Sequence, residues 1–204
     1  VMSYLAAGSY IDGGLLINQQ GKRFVNELER RDVVAKAIVE QTGNVAYVIW
    51  PQELEESSRS LELYPSEYTA MLADKLITKA NTLDEAADFF GIDKNQLKQT
   101  IQNWGEYAAK KVAPDFNKDG NMLSFAEGPY YIQKITPSAH YTMGGIQINE
   151  KAEVLNKSGK AIPHLYAAGE VTGGVHGTNR LGGNAMADII VFGRIAGQNA
   201  AKVK

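Results

Sequence analysis

The spacing of hydrophobic positions predicts short strands and helices over the first 138 residues. Apolar runs at 15–17 and 45–50 are strand-like, and the polar turn at 18–21 predicts a hairpin back into residues 23–25. Residues 33–40 place their apolar positions at helical spacing. Mixed strands and helices of this length indicate an α+β fold.

Two consecutive helices are predicted near the middle of the chain. Thr82 caps the first, with Glu85 three residues later, and Gly91 ends it. Asp93 caps the second. The apolar faces are Leu83, Ala86, Ala87 and Phe90 in the first helix and Leu97, Ile101, Trp104, Tyr107 and Ala108 in the second. Faces of this kind are expected to pack into a core.

Glycine marks the last part of the chain. Eleven of the 20 glycines lie in residues 144–204, and six of those eleven lie between Gly169 and Gly183. The elements predicted here are strands at 144–149, 152–155 and 164–169 and a helix from about Asn184 to Val203. Because glycine costs backbone entropy, such a cluster indicates turns or a close approach of the backbone to a ligand.

Composition narrows the chemistry. The 204 residues carry 21 basic and 23 acidic side chains, which gives no electrostatic reason to expect nucleic acid or an anionic membrane as a partner. The chain has no cysteine, and therefore no disulfide, thiolate nucleophile or iron–sulfur ligand of its own. No run approaches the roughly 18 consecutive apolar residues of a membrane span. Membrane insertion is therefore not expected. The three histidines lack metal-ligand spacing, so that a metal is not expected either.

The glycine-rich loop is the strongest candidate for a ligand site. Residues 170–177 read EVTGGVHG and residues 179–185 read NRLGGNA, so that a long loop leads from a strand into a helix. The N–H groups at a helix N-terminus suit an anion or an electron-rich ring edge. Arg180, directly before the helix, can clamp a carboxylate or phosphate with two parallel hydrogen bonds. A flexible loop with a solvated arginine is the alternative, but apolar residues between so many glycines favour a ligand loop.

Two other tracts are ambiguous from their pattern alone. Residues 140–145 read HYTMGG, in which His140 is either structural or part of a site, and the glycines permit a flat ligand to approach the backbone. His164 opens a predicted strand, and His176 lies in the glycine-rich loop with no partner that the pattern identifies. Residues 21–32 read GKRFVNELERRD, a charge run of the kind that usually forms a solvated face.

These three tracts together resemble the flavoprotein subunits of fumarate reductase and succinate dehydrogenase, especially the soluble, single-chain fumarate reductases of the flavocytochrome type. The loop and HYTMGG are highly specific to that group, and residues 21–32 resemble a stretch of its capping domain. The resemblance implies that residues 1–138 form an N-terminally truncated capping domain. It also implies that residues 139–204 form the C-terminal segment of a glutathione reductase-like α/β FAD-binding domain.

The resemblance also implies roles for individual residues. Arg180, His140 and Gly183 would bind the substrate, the first two through its carboxylates, and Arg31 would donate a proton. The residues implied to bind FAD are Tyr141, Gly145, Glu170, Asn184, Ala185 and Met186. Among them, Glu170 would bind the ribityl chain. The implied reaction is hydride transfer from flavin N5 to one alkene carbon of a small α,β-unsaturated carboxylic acid, with a proton added to the neighbouring carbon.

One departure from the family leaves alternatives open. Ala6 and Ala7 stand where fumarate-reducing members carry a Thr-Glu pair, so that another 2-enoate such as urocanate is an alternative substrate. A non-catalytic module that binds a carboxylate or a protein partner is a second alternative. Steroid-type dehydrogenation is disfavoured by the carboxylate-binding Arg180.

A missing motif predicts that the chain is the C-terminal part of a larger flavoprotein. FAD-binding folds of this type need a G-x-G-x-x-G turn after an early strand, and none is present here. We therefore expect the whole flavoprotein to use FAD and an electron donor outside this chain. The 204 residues alone are expected neither to bind FAD tightly nor to catalyse turnover. Relatives of this kind occur in the cytoplasm and in the periplasm.

Overall fold

The computed structural model of the protein describes residues 10–118, 122–125 and 127–202. The chain divides into two compact units, a first unit up to Ser138 and a second unit from Ala139. Both units contain helices and strands, so that the expected mixture of α and β structure is confirmed. Ala6 and Ala7, at which the resemblance implies a departure from the Thr-Glu pair, lie outside the described residues.

A four-stranded antiparallel sheet forms the centre of the first unit. Its strands are β1 (Leu15–Ile17), β2 (Ala46–Pro51), β3 (Ile77–Ala80) and β4 (Tyr130–Ile135), and their order across the sheet is β1-β2-β4-β3. The two central strands are therefore β2 and β4. Ile49 of β2 lies opposite Leu15 on one side and Ile132 on the other.

Both faces of this sheet are buried. Successive side chains of a strand point to opposite faces. Leu15 and Ile49 belong to one hydrophobic cluster, whereas Leu16 and Val48 belong to a second. All six residues of β2 are buried for this reason, and the strand reads as a continuous apolar run instead of an alternating one.

Helices cover the two faces. They are α1 (Arg31–Val39), α2 (Gln52–Ser58), α3 (Ser60–Leu63), α4 (Pro65–Ala73), α5 (Leu83–Phe90) and α6 (Lys94–Lys110), with a 3-10 turn at Thr42–Asn44. Helix α6 adds Leu97, Ile101 and Trp104 to the first cluster. Helix α1 adds Val34 and Ile38 to the second cluster, so that the sheet is covered from both sides.

The start and stop signals predicted for α5 and α6 are confirmed. The Thr82 side chain accepts a hydrogen bond from the backbone N–H of Glu85, and the Asp93 side chain accepts one from the backbone N–H of Gln96. Gly91 follows α5 with a φ of 66°, the left-handed conformation that ends a helix and that glycine adopts without strain. These contacts are local in sequence, which is why the sequence predicts them.

The charge run at 21–32 is not a uniformly solvated face, and that expectation is wrong for two of its residues. Arg23 and Glu27 are buried, and Arg23 donates to both carboxylate oxygens of Glu27, at 3.0 and 2.8 Å. The buried Lys118 ammonium lies 3.1 Å from the same carboxylate, and Asp115 lies 2.9 Å from Nη1 of Arg23. The three buried side chains, Arg23, Glu27 and Lys118, form the buried-charge cluster, and the exposed Asp115 lies at its edge. The cluster joins two loops that are far apart in sequence, so that no pattern within one run reveals it.

The second unit consists of two strand pairs and one long helix. Its strands are β5 (Ile146–Gln147), β6 (Glu153–Leu155), β7 (Ala161–Tyr166) and β8 (Thr172–Gly173). Strand β5 pairs with β8 in parallel, and β6 pairs with β7 antiparallel. The strand expected at 144–149 is shorter in the structure, where it is β5. The strand expected at 164–169 begins and ends three residues earlier, as β7. Helix α7 (Asn184–Ala200) begins at the predicted residue.

Candidate functional site

Two glycines let β5 and β8 approach each other closely. A Cβ atom added to Gly145 would lie 2.8 Å from the carbonyl carbon of Val171, and one added to Gly173 would overlap the backbone nitrogen of Gly145. A side chain at either position would push the paired strands apart. Gly145 therefore has a structural reason to be glycine, and its expected contact with FAD stays a prediction.

Four other glycines leave an open strip along the loop between β8 and α7. A Cβ atom added at Gly174, Gly177, Gly182 or Gly183 would meet nothing within 4 Å. Gly183 is the N-cap of α7, with a φ of 81°, and no side chain caps the helix. A strip without side chains beside an uncapped helix start can accept a flat ring or an anionic group. This arrangement fits the flat ring and polar edge of a flavin.

Arg180 is a buried cation in the same loop. Its side chain lies over the Tyr141 ring, with Cζ 4.6 Å from the ring centroid, and the residue is 5% exposed. Its Nη1 donates to the carbonyl of Leu181 at 3.0 Å, and its backbone N–H lies 3.3 Å from the Met143 sulfur. A guanidinium oriented by a ring and a carbonyl is suited to bidentate recognition of a carboxylate.

Asp188, Tyr141 and His176 form a polar group beside Arg180, which we call the Asp188 cluster. Asp188 is 5% exposed, and its Oδ2 lies 3.2 Å from both the Tyr141 hydroxyl and His176 Nε2. The Tyr141 and His176 rings meet edge to face, with centroids 5.4 Å apart. Desolvation, followed by the hydrogen bond and charge of Asp188, raises the pKa of Tyr141. The phenol therefore keeps its proton and is the donor to the carboxylate.

Glu170 connects the HYTMGG tract to the loop. Its Oε1 accepts the backbone N–H of Thr142 at 3.0 Å, and its carbonyl accepts the Thr142 hydroxyl at 3.2 Å. Glu170 is exposed. A carboxylate anchored in this way can accept hydrogen bonds from the hydroxyl groups of a ligand.

The remaining site residues expected in the second unit lie near its surface. His140 is exposed and directly precedes Tyr141. Asn184, Ala185 and Met186 form the first turn of α7, where Met186 is 60% exposed. The contacts of these residues with substrate or FAD stay predictions.

Arg31 lies in the first unit, where it is the first residue of α1 and is exposed. The following Asp32 binds the preceding Arg30, with oxygen–nitrogen distances of 3.1 Å to Nε and 2.6 Å to Nη2. This hydrogen bond lowers the pKa of Asp32. The carboxylate next to Arg31 is thus engaged by a different arginine.

The partnership of Asp188 and His176 is not predicted by the sequence pattern. Asp188 is the buried residue of helix α7, whereas the apolar Ile189 and Ile190 are 44% and 64% exposed. A signal was present, because Asp188 is the single acidic residue of this helix. Buried carboxylates are nearly always paired, and the histidine in the neighbouring loop is one of its two partners here.

Neither a metal-binding group nor a membrane-spanning helix occurs in the part of the chain that the structure describes. There, no three histidine or acidic side chains are grouped closely enough to hold a metal ion. Nor does any helix within the described ranges combine the length and the apolar character needed to cross a membrane.

Comparisons with known proteins place these features in a family. A family model described as FAD binding domain matches residues 6–186. The chain is similar to fumarate reductase (cytochrome) from Shewanella frigidimarina, with 44% identity over 191 residues that cover 94% of the chain and 32% of the relative. It is also similar to urocanate reductase from Eggerthella lenta, with 42% identity over 187 residues that cover 92% of the chain and 31% of the relative.

A solved structure shares the fold. The chain is similar to the open conformation of a flavocytochrome c3 fumarate reductase, with a TM-score of 0.78 and 39% identity, over 99% of this chain and 34% of that one. The chain thus spans about a third of the length of these relatives. The resemblance inferred from the three sequence tracts is confirmed, as is the expectation of FAD as the cofactor. Because the family model covers most of its length, the chain belongs to the FAD binding domain family.

Proposed function

We propose that the chain is part of an FAD-dependent ene-reductase, which reduces the carbon–carbon double bond of an α,β-unsaturated carboxylic acid. The observation that carries this proposal is the buried Arg180 guanidinium in the loop that leads into the uncapped start of α7. A fixed cation is required where a carboxylate is bound and negative charge develops. The similarity to fumarate reductase (cytochrome) and urocanate reductase supports the same chemistry.

Arg180 and His140 bind the substrate carboxylate in this mechanism. Hydride addition to the β-carbon of a 2-enoate moves negative charge onto the α-carbon and, by conjugation, onto the carboxylate oxygens. The guanidinium of Arg180 stabilises that charge with two parallel hydrogen bonds, and an N–H of His140 adds a further donor. Such donors lower the barrier because they are oriented before the reaction begins.

The second unit also offers the groups that would hold the cofactor. FAD, when bound, supplies the hydride from its N5 position. The exposed Glu170 carboxylate would accept hydrogen bonds from the ribityl hydroxyls. Tyr141, Gly145 and residues 184–186 would hold the ring, with the N–H groups at the start of α7 beside its electron-rich edge. Gly183, which lacks a side chain, would leave space for the substrate.

Arg31 is the proposed proton donor. A guanidinium is a very weak acid, so that it gives up a proton only to a strongly basic, carbanion-like carbon and must then regain one. The neighbouring carboxylate, Asp32, binds Arg30. Arg31→Ala should therefore abolish turnover while leaving the affinity for a non-reactive carboxylate within about threefold, since it removes the acid and no binding group.

The two units correspond in this proposal to two parts of a longer flavoprotein. We assign residues 1–138 to the capping domain and residues 139–204 to the C-terminal segment of the FAD-binding domain. The coverage of about a third of each relative supports a longer polypeptide. That polypeptide would supply the dinucleotide-binding loop and the route for electrons from the donor.

The test uses the natural full-length polypeptide that contains these residues. It should show the visible absorbance of oxidised flavin and should oxidise a reduced viologen dye when fumarate, urocanate or acrylate is added, which also identifies the substrate. Arg180→Met should lower kcat/KM by at least about 100-fold, the effect of removing one transition-state donor. Arg194→Gln, which removes an exposed arginine of α7, the helix that follows Arg180, is the matched control and should leave turnover unchanged.

Two results would overturn parts of the proposal. A protein that purifies without flavin and reduces none of the three acids would favour the non-catalytic binding module. A flavoprotein whose turnover is the same before and after Arg180→Met would remove Arg180 from the site.

A further inference from the structure

The position of Asp188 is not explained by the packing of its helix. Helix α7 buries this carboxylate but leaves Ile189 and Ile190 exposed. Burying a carboxylate is unfavourable unless hydrogen bonds and opposite charge compensate it. What holds Asp188 in place is therefore the pair of groups that bind it, Tyr141 and His176.

We propose that Asp188 and His176 are positioning residues for Arg180: together they fix the Tyr141 ring, and that ring fixes the guanidinium. The inference rests on the proposed role of Arg180 in carboxylate binding. Neither Asp188 nor His176 needs to touch the substrate in order to act in this way.

The first step concerns the orientation of the two rings. His176 Nε2 lies 3.2 Å from Oδ2, and in the tautomer with a proton on Nε2 it donates a hydrogen bond to that oxygen. The Tyr141 hydroxyl donates to the same oxygen, also at 3.2 Å. Two donors on one oxygen tie both rings to α7, and their edge-to-face contact, with planes at 80°, restricts rotation further.

The second step runs from the ring to the guanidinium. Arg180 lies over the face of Tyr141, with Cζ 4.6 Å from the centroid, which is the geometry of a cation–π contact. The Leu181 carbonyl accepts from Nη1 and sets the direction of the fork. An arginine held in this way loses less conformational entropy when it binds a carboxylate, so that the affinity for that carboxylate rises.

The experiment measures carboxylate affinity directly in the full-length flavoprotein. Succinate and propionate, which have no double bond, are titrated while the flavin absorbance spectrum is recorded, and the KM and kcat of the preferred 2-enoate are measured in parallel. Asp188→Asn should raise Kd and KM about tenfold with kcat changed by less than about threefold, the result of lost pre-organisation. Glu150→Gln, which removes an exposed carboxylate of the second unit, is the matched control and should change neither.

A double-mutant cycle separates positioning from a merely structural role. In an Arg180→Lys background, Asp188→Asn should raise Kd by no more than about twofold, because an ammonium lacks the planar fork that the Tyr141 ring orients. If Asp188→Asn weakens binding by the same factor in both backgrounds, the two residues act independently and the proposal is overturned.

Tyr141→Phe keeps the test decisive if Asp188→Asn fails to fold. It removes one donor to Asp188 while keeping the ring, and it should raise Kd about threefold, again only when Arg180 is present. Unchanged affinity in this variant would contradict the proposal. A loss of kcat greater than about tenfold in His176→Gln, with Kd unchanged, would assign His176 to the chemistry instead.

A failure of the positioning role can be distinguished from a failure of the proposed ene-reductase activity. A flavoprotein that reduces no 2-enoate refutes the ene-reductase activity. In that case the Kd values for succinate and propionate can still be measured. The double-mutant cycle of Asp188 and Arg180 on those Kd values then still tests whether the Asp188 cluster positions Arg180.

Discussion

Glu27→Gln should strongly destabilise the first unit, because Glu27 is the anion at the centre of the buried-charge cluster. Its Oε1 accepts from the backbone N–H of Leu16 at 3.1 Å and from Arg23 Nε at 3.0 Å. Its Oε2 lies 2.8 Å from Arg23 Nη2 and 3.1 Å from Lys118 Nζ. Glutamine has the same length but carries no charge, and its amide group turns one acceptor toward the cations into a donor.

The size of the effect follows from burial. The side chains of Glu27 and Lys118 are fully buried and that of Arg23 is 2% exposed, so water cannot replace the lost anion. Asp115 still faces Arg23, but it is 36% exposed and compensates only part of that charge. Removing one partner of a buried ion pair costs about 3–5 kcal/mol. We therefore expect Glu27→Gln to lower the free energy of unfolding by about this amount.

Urea unfolding of the 204-residue chain, followed by circular dichroism at neutral pH, measures this change. Glu62→Gln is the control, because it breaks the exposed ion pair with Arg59 and should cost less than about 1 kcal/mol. If Glu27→Gln costs no more than Glu62→Gln, the reasoning from buried charge is refuted.

The same cluster predicts how stability depends on acid. Burial alone would raise the pKa of Glu27, but the hydrogen bond from Arg23 and the charges of Lys118 and Arg23 hold that pKa below its ordinary value. The stabilisation is therefore fully present above the unfolded-state value of about 4.3 and is lost as pH falls through the lower folded-state value. The difference in unfolding free energy between wild type and Glu27→Gln should be constant near neutral pH and shrink below about pH 4. A difference that grows on acidification would contradict this.

Three further predictions concern single residues and the cofactor. Gly145→Ala should lower the thermal unfolding temperature of the second unit, because the added Cβ would overlap the backbone of Val171. The control Gly182→Ala should not lower it, because the space around Gly182 is open. Equal melting curves for the two variants would refute the argument. Thr82→Ala should cost about 1 kcal/mol in urea unfolding, because it removes the side-chain cap of α5; no loss would show that the cap is dispensable. The 204-residue chain, mixed with FAD and desalted, should show no flavin absorbance, and a stoichiometric yellow preparation would contradict this.

Local signals account for the part of the fold that the sequence predicted well. Thr82 and Asp93 cap their helices through backbone groups only three residues away, and Gly91 ends a helix through its own φ. The glycine-rich loop belongs to the same class. Its glycines and the helix start at Asn184 are adjacent in sequence, so that an open loop leading into a helix could be predicted before any contact was known, whereas its binding of a ligand stays a prediction.

Contacts between distant residues account for what the sequence analysis missed. The partners Arg23 and Asp115 are 92 positions apart, and Tyr141 and Asp188 are 47 positions apart. A charge run is assigned to the surface because most such runs are solvated, and that assignment fails for Glu27, which the fold pairs with the distant Lys118 as well as with the nearby Arg23. The single acid of α7 carried a weak signal of this kind, whereas nothing within residues 21–32 distinguished Glu27 from Glu29.

Arg23 and Arg180 are both buried, but a neighbouring acid binds a different group in each case. Both lie over an aromatic ring, Arg23 at 4.8 Å from the Trp104 centroid and Arg180 at 4.6 Å from that of Tyr141. Glu27 binds the fork of Arg23 directly with two hydrogen bonds, which makes that arginine part of the core. Asp188 instead binds the hydroxyl of Tyr141, so that its hydrogen bond orients the ring that carries Arg180. Under the proposed function, the hydrogen bond from Tyr141 to Asp188 orients the ring beneath Arg180, and that orientation suits the guanidinium to a substrate carboxylate.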